Sequence, residues 1–385
     1  MILICEPQCI GFEHAEVNGA LVGVYRIAFP DDPILFVGER THVEQVSLFL
    51  RDREVSGVDF KGIEVAPRNC SNPKRFLLER LVYRRLFELA EGNNADRILF
   101  CSVTSPGLYW LKFMLRRHAA IHAIAVLHGI LESIFHWADL IRYQLVFWFR
   151  FPLLFGNMPQ LRYLVFGEFI KKNLTSKFPS MREHLRTLDL PYDFRPERDH
   201  TPAFESAIRF GALGVGSRTK GTDAFFRCAA QIGAIRKEAS AEFVLVGPLM
   251  DDKLSDPPTN VTIPARFKPL PRETYNFLAE SIDYAVFFHR KDHYRFSTSA
   301  ALFDAFSFGK PIIALRSPVF EHYFDMMGDI GYLCADFEEM CLKIEGLLNH
   351  FDSTAYAVQR QNILTGRERL SWKYLSNQMT EIWDS

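Results

Sequence analysis

The sequence predicts an α/β chain of two doubly wound domains, each a parallel sheet covered by helices, and three observations carry that expectation. At 385 residues the chain exceeds what one hydrophobic core usually organises. Short apolar runs alternate with longer helical patterns through both halves, the signature of parallel strands joined by helical crossovers. Between the halves, residues 190–202 (LPYDFRPERDHTP) break the alternation with three prolines and a cluster of charges. The expected boundaries are a first domain over 1–190, a linker over 191–202, a second domain over 203–365, and a C-terminal helix over 366–385.

In the first half the apolar runs are 1–5, 34–37, 97–103 and 123–128, with a helix-like stretch over 73–90. The second half has runs at 207–211, 242–247, 261–263, 283–289 and 311–315. Helical patterns lie between them at 225–237, 275–281 and 300–308. Domains of this kind bind ligands at the carboxyl ends of their strands, where helix N-termini point and where two such domains can face each other across a cleft.

Composition narrows the function classes. Hydrophobic residues make up 48% and charged residues 24%, with 35 phenylalanines, which is globular composition with an aromatic surplus. A formal net charge of -1 gives no global attraction to polyanions, so a nucleic-acid partner is not expected. The seven cysteines are odd in number and sit mostly within apolar runs, which suits buried thiols in a reducing compartment rather than a disulfide framework or a metal site. The N-terminus enters an apolar run without a basic leader, so a cytoplasmic protein is expected.

The sharpest local motif is GALGVGSRTKG over 211–221, a strand running into a glycine-rich loop and then a helix. Backbone amides near Gly216 can approach a phosphate, and Arg218 and Lys220 can neutralise it. A flexible turn with solvated cations fits equally, because the Walker spacing is absent. The other motif, over 289–311, leaves a strand and enters a helix at Ser297, Thr298 and Ser299, whose hydroxyls can cap that helix or bind an anion. Asp304, one turn further in, suits ribose hydroxyls; alternatively it pairs with Lys310 or a nearby arginine.

The ordered set of Lys220-Gly221, FVLVG (243–247), SIDYAV (281–286), Ser297 to Ser299 and DAFSFGKPII (304–313) resembles the donor domain of GT-B glycosyltransferases. The likeness is strongest to the retaining group that includes glycogen synthases and phosphatidylinositol mannosyltransferases. It implies two Rossmann-like domains, a nucleotide diphosphate sugar as donor substrate, and no further cofactor or metal. By the same resemblance Lys220 contacts the diphosphate, the loop at 297–299 holds it, and Asp304 binds the ribose. The pattern departs from the group at Val215, where an arginine is usual, and at Phe296, where the first of two glutamates is usual; Arg218 could supply the missing cation.

In the first half, His128 closes an apolar run where similar enzymes place a histidine beside the reacting sugar, although a histidine after a strand is commonly structural. The loop after the first strand offers Glu13, His14, Glu16 and Asn18: His14 and Glu16 as catalytic candidates with His128, Glu13 and Asn18 as acceptor contacts. Ordinary loop polarity explains the same residues. Residues 68–117 hold ten Lys/Arg against four acids, and residues 135–155 are rich in aromatics but broken by charges. Together they suggest a peripheral membrane face over 68–155 and a glycan or lipid-linked acceptor, with core packing of the aromatics as the alternative. The expected activity is sugar transfer in cell-envelope polysaccharide synthesis. Its rivals are a nucleotide-sugar epimerase of the same fold and a catalytically inactive subunit that binds a partner.

Overall fold

The structure, a computed structural model, describes residues 1–135, 148–194, 207–235, 241–254, 256–289 and 295–384. The aromatic stretch at 135–155 and the linker at 191–202 therefore lie partly outside the described residues. The chain divides into two compact units, Met1–Asp193 with Leu370–Ser385, and Phe194–Arg369.

In the first unit, strands β1 (Ile2–Glu6), β2 (Ile34–Glu39), β3 (Val58–Ile63), β4 (Arg97–Phe100), β5 (His122–Val126), β6 (Leu161–Phe166) and β7 (Leu185–Leu188) form one sheet in the order β3-β2-β1-β4-β5-β6-β7. Every pairing is parallel. Helices α1 (Ala15–Ala28), α2 (Arg40–Arg51), α3 (Asn72–Gly92), α4 (Ser105–Leu115), α5 (Arg150–Leu154) and α6 (Glu168–Lys177) connect the strands. A parallel strand inside such a sheet is covered on both faces, which is why β1 is a continuous buried run rather than an alternating one. The edge strand β3 is largely exposed and carries Asp59 and Lys61, so no apolar run announced it in the sequence.

The second unit repeats the plan with β8 (Ile208–Leu213), β9 (Ala241–Val246), β11 (Val261–Thr262), β13 (Tyr284–Phe287), β14 (Ile312–Leu315) and β15 (Gly331–Cys334), in the order β11-β9-β8-β13-β14-β15. A two-stranded extension pairs β10 (Pro248–Leu249) with β12 (Ala265–Arg266). Its helices are α7 (Thr222–Ile235), α8 (Arg272–Ser281), α9 (Ala300–Ser307), α10 (Pro318–Met327), α11 (Phe337–Asn349) and α12 (Ser353–Gly366). Much of the phenylalanine surplus is core: the Phe210 ring stacks on Phe243 at 5.5 Å and on Tyr284 at 5.9 Å, and Phe225 meets Phe243 edge-on at 5.7 Å.

The last helix, α13 (Trp372–Asp384), joins the first unit by packing on α1. Trp383 Nε1 donates to the hydroxyl of the fully buried Tyr25 at 2.9 Å. The Trp372 ring fills the space over Gly23, where an added Cβ would stand 2.4 Å from Cζ3. A glycine is thus required in α1 by the close approach of this ring. Gly23→Val should lower the unfolding free energy by about 1–3 kcal/mol, the usual cost of overpacking, and urea denaturation would read it. An unchanged midpoint would show that α13 is not seated on α1.

Candidate functional site

In the second unit the candidate groups converge at the carboxyl ends of β8 and β13. The half-buried Lys220 side chain lies over Gly214: a Cβ built there would be 3.5 Å from the Lys220 Nζ and 3.6 Å from the Ala301 Cβ, so the ammonium stands beside the N-terminal turn of α9. Burial lowers the pKa of this ammonium, and the Asp304 carboxylate opposes that shift. Lys220, Gly221, Thr222, Val286 and His289 line a small pocket that is partly open to solvent.

Ser299 stands as the N-cap residue of α9, yet its side chain makes no capping bond. Its hydroxyl is fully buried and has no hydrogen-bond partner among the described residues, although such groups are nearly always satisfied. Thr298 is buried and Ser297 half-buried beside it. Asp304, buried one turn further along, accepts from the Tyr275 hydroxyl at 2.7 Å, and Arg272 lies 3.9 Å from its other oxygen. Lys310 is not its partner; that ammonium donates to the Glu280 carbonyl at 2.8 Å. The sequence reading missed Tyr275 and Arg272, whose place in α8 is set by packing rather than by spacing to Asp304.

The glycine-rich loop differs from the expected open cradle. The Gly214 and Gly216 amides donate to the Val246 and Pro248 carbonyls at 2.8 and 2.9 Å, the Lys220 and Gly221 amides donate within the loop, and the Arg218 amide donates to Asp251. Gly216 therefore offers no spare N–H to a phosphate. Its loop is tied to β10, and Gly216 itself is packed against Leu245 and Leu249. The small residues answer to backbone crowding: at Gly221, with φ +74°, a Cβ would stand 2.1 Å from the Phe288 carbonyl oxygen. The half-exposed Arg218 side chain pairs with Asp251 at 3.3 Å, which draws it away from the free cation expected of it. Lys220 remains the cation that this loop aims at α9.

In the first unit His14 and His128 meet edge to face, with ring centroids 4.9 Å apart. Burial, with the neighbouring His14, pushes the His128 pKa down to about 4, so the imidazole is neutral at physiological pH. Glu16 is exposed in the first turn of α1. Glu13 pairs with Arg68 and also accepts the Ile10 amide at 3.1 Å; these bonds hold its carboxyl below the usual range, as an ion-paired carboxylate rather than an open acceptor contact. Asn18 departs from the acceptor role as well. It is buried, and its Nδ2 bonds both Glu6 at 3.1 Å and His42 at 3.0 Å. The sequence reading passed over Glu6 and His42, although a carboxylate closing the apolar run of β1 was a visible signal.

The stretch expected to form a membrane face holds cations in different settings. Of the ten cations over 68–117, Lys112 is buried, with its Nζ on the carbonyls of Pro152 and Phe155 and on Asn157, while Arg75 and Arg97 pair with Glu79 and Asp32. Lys74, Arg80, Arg84, Arg85, Arg116 and Arg117 are exposed. Phe149 is core, whereas Phe155 is 61% exposed. Among the described residues no helix is long and apolar enough to cross a membrane, and no group of three metal-ligating side chains occurs.

No family model matches the chain, and no curated protein matches it. Solved structures do. Anabaena Alr3699/HepE in complex with UDP-glucose has a TM-score of 0.66 at 13% identity, over 100% of this chain and 99% of its own. Sucrose-phosphate synthase from Thermosynechococcus elongatus has a TM-score of 0.64 at 14% identity, over 100% of this chain and 98% of its own. WaaG, a glycosyltransferase involved in lipopolysaccharide biosynthesis, has a TM-score of 0.61 at 12% identity, over 99% of each chain. At such identities the likeness speaks for architecture, and with the two parallel sheets and their helices it shows that this chain has the two-domain α/β fold of the GT-B glycosyltransferases.

Proposed function

We propose that the chain is a glycosyltransferase that moves a sugar from a nucleotide diphosphate sugar to a glycan or lipid-linked acceptor in cell-envelope polysaccharide synthesis. The observation that carries this reading is the Lys220 ammonium beside the first turn of α9, whose N-cap Ser299 has a buried hydroxyl with no partner among the described residues. A cation, a helix N-terminus and a buried hydroxyl seeking an acceptor oxygen form an anion site, and a leaving diphosphate is the anion that sugar transfer must stabilise. On this reading Asp304, whose Oδ2 accepts from the Tyr275 hydroxyl, takes the ribose hydroxyls. HepE, of the same fold, binds UDP-glucose. On this reading the charge of the leaving group is met by Lys220 and the helix end, so no metal is required. In the first unit the neutral His128 and its partner His14 are the groups for the acceptor hydroxyl, with Glu16 at the rim.

The outer face of α3 supports a peripheral membrane contact. Leu77 and Leu81 are 58% and 59% exposed, one turn apart, and Lys74, Arg84 and Arg85 share their side of the helix. Exposed leucines flanked by cations on a chain of net charge -1 suit an anionic lipid surface, such as the inner face of a cell membrane.

Three measurements test these readings. By calorimetry Lys220→Ala should weaken UDP binding at least tenfold, and adding EDTA should leave the wild-type affinity unchanged; equal affinities for wild type and variant would remove the diphosphate assignment. In flotation assays Leu77→Ser/Leu81→Ser should cut recovery on vesicles containing phosphatidylglycerol several-fold, and undiminished recovery would remove the α3 face. The third concerns acid stability. Because the folded His128 pKa of about 4 lies below the ordinary 6.5, the unfolded chain takes up a proton first as pH falls. Stability should therefore decline as pH drops from 6.5 toward 4, and His128→Gln should flatten that part of the profile; an identical slope in the variant would contradict the assignment.

A further inference from the structure

The buried groups beneath the 10–14 turn form a chain of hydrogen bonds whose direction is set by chemistry. Glu6 accepts from the Gln8 and Cys9 amides at 3.0 and 3.1 Å, from the Ser102 hydroxyl, and from Asn18 Nδ2 at 3.1 Å. As a carboxylate it can only accept, so Asn18 turns its nitrogen inward, and the other hydrogen of that nitrogen points at His42 Nε2, 3.0 Å away. The opposite amide orientation would set the Asn18 oxygen against the carboxylate. At the far end, His42 Nδ1 lies 2.8 Å from the Gly11 carbonyl oxygen, which also can only accept. With Glu6 as the acceptor, the geometry sets the His42 Nδ1–H toward the Gly11 carbonyl and the Nε2 lone pair toward Asn18. His42 is fully buried on α2.

The same turn is held at other points. Thr41 Oγ1 accepts the Gly11 amide at 3.1 Å, and the Asn18 amide donates to the His14 carbonyl at 2.9 Å. Between these anchors the chain displays Phe12, 84% exposed, and brings His14 in the left-handed conformation, φ +53°, against the edge of His128. A buried polar chain is costly unless every member is satisfied. Here satisfaction runs from the carboxyl end of β1, through α1 and α2, to one carbonyl of an exposed turn. We propose that His42 is a positioning residue, whose Nδ1–H holds the Gly11 carbonyl and thereby seats His14 against His128. This rests on the proposed function only for the purpose of the seating, which is to keep the acceptor-side histidines together.

The test is a histidine NMR titration of the full chain, read at His128, whose environment the seating controls. In wild type this residue should titrate near 4, because burial and the neighbouring His14 lower it. In His42→Asn the amide nitrogen stands close to the place of Nδ1 and can still donate to Gly11, so His128 should keep its value to within about 0.3 units. In His42→Gln the amide extends toward Asn18 and the Gly11 carbonyl loses its donor, so the His128 value should rise by about one unit as His14 withdraws and water enters. Thermal melts of the two variants should agree closely, since both keep a polar side chain of similar size. Equal His128 values in the two variants would overturn the proposal, as would a wild-type value near 6.5. UDP binding, measured alongside, should stay within about twofold in both variants; a tenfold loss in both would mark general damage and also overturn it. Absence of UDP binding by the wild-type chain would instead count against the glycosyltransferase reading, and the NMR contrast would stand apart from it.

Discussion

The parallel pairing of the strands is the constraint on which the rest of the structure depends. A parallel sheet needs crossover helices on its faces, so both faces are covered and the strand ends are where chemistry can occur. Glu6 closes β1, Glu39 closes β2, and Ser102 and His128 follow β4 and β5. Gly214 to Lys220 follow β8, and Phe288 and His289 follow β13. Helix N-termini arrive at the same ends, so the partial positive charge at the start of α9 comes with the topology. Within each unit the candidate groups are neighbours because the sheet brings distant segments into register.

The two units use buried polarity differently. In the first, the Glu6–Asn18–His42 chain is closed: each donor meets an acceptor, and the result is a fixed turn. In the second, the Ser299 hydroxyl is left over at a helix start and the Lys220 ammonium is held where burial disfavours its charge. Both features are relieved by an anion, which supplies acceptor oxygens to the hydroxyl and counter-charge to the ammonium. The Glu6–Asn18–His42 chain is thus complete as it stands, whereas the start of α9 has a local deficit of negative charge and of acceptors.

The sequence disclosed the architecture well because apolar periodicity is a direct consequence of covering a sheet on both faces. Buried strands such as β1, β9 and β14 were legible, and the edge strand β3 was not, since most of its residues are exposed. The places of Ser299 and Lys220 could be read because one opens α9 and the other follows β8 at short range. Gly216 and Asn18 were misjudged for opposite reasons. Gly216 has the setting of a phosphate cradle but serves backbone packing, whereas Asn18 has the setting of a surface ligand but is buried. Glu6, His42 and Tyr275 acquire their partners through strand order and helix packing, across separations of 12, 24 and 29 residues that no local pattern encodes.

The central claim is that the second unit binds a nucleoside diphosphate through Lys220 and the start of α9. A crystal structure of the chain grown with UDP tests it most directly. The account predicts the distal phosphate within hydrogen-bonding distance of Lys220 Nζ and of the Ser299 hydroxyl, with the ribose against Asp304. Diphosphate density placed away from α9, with Ser299 still unpartnered, would contradict it.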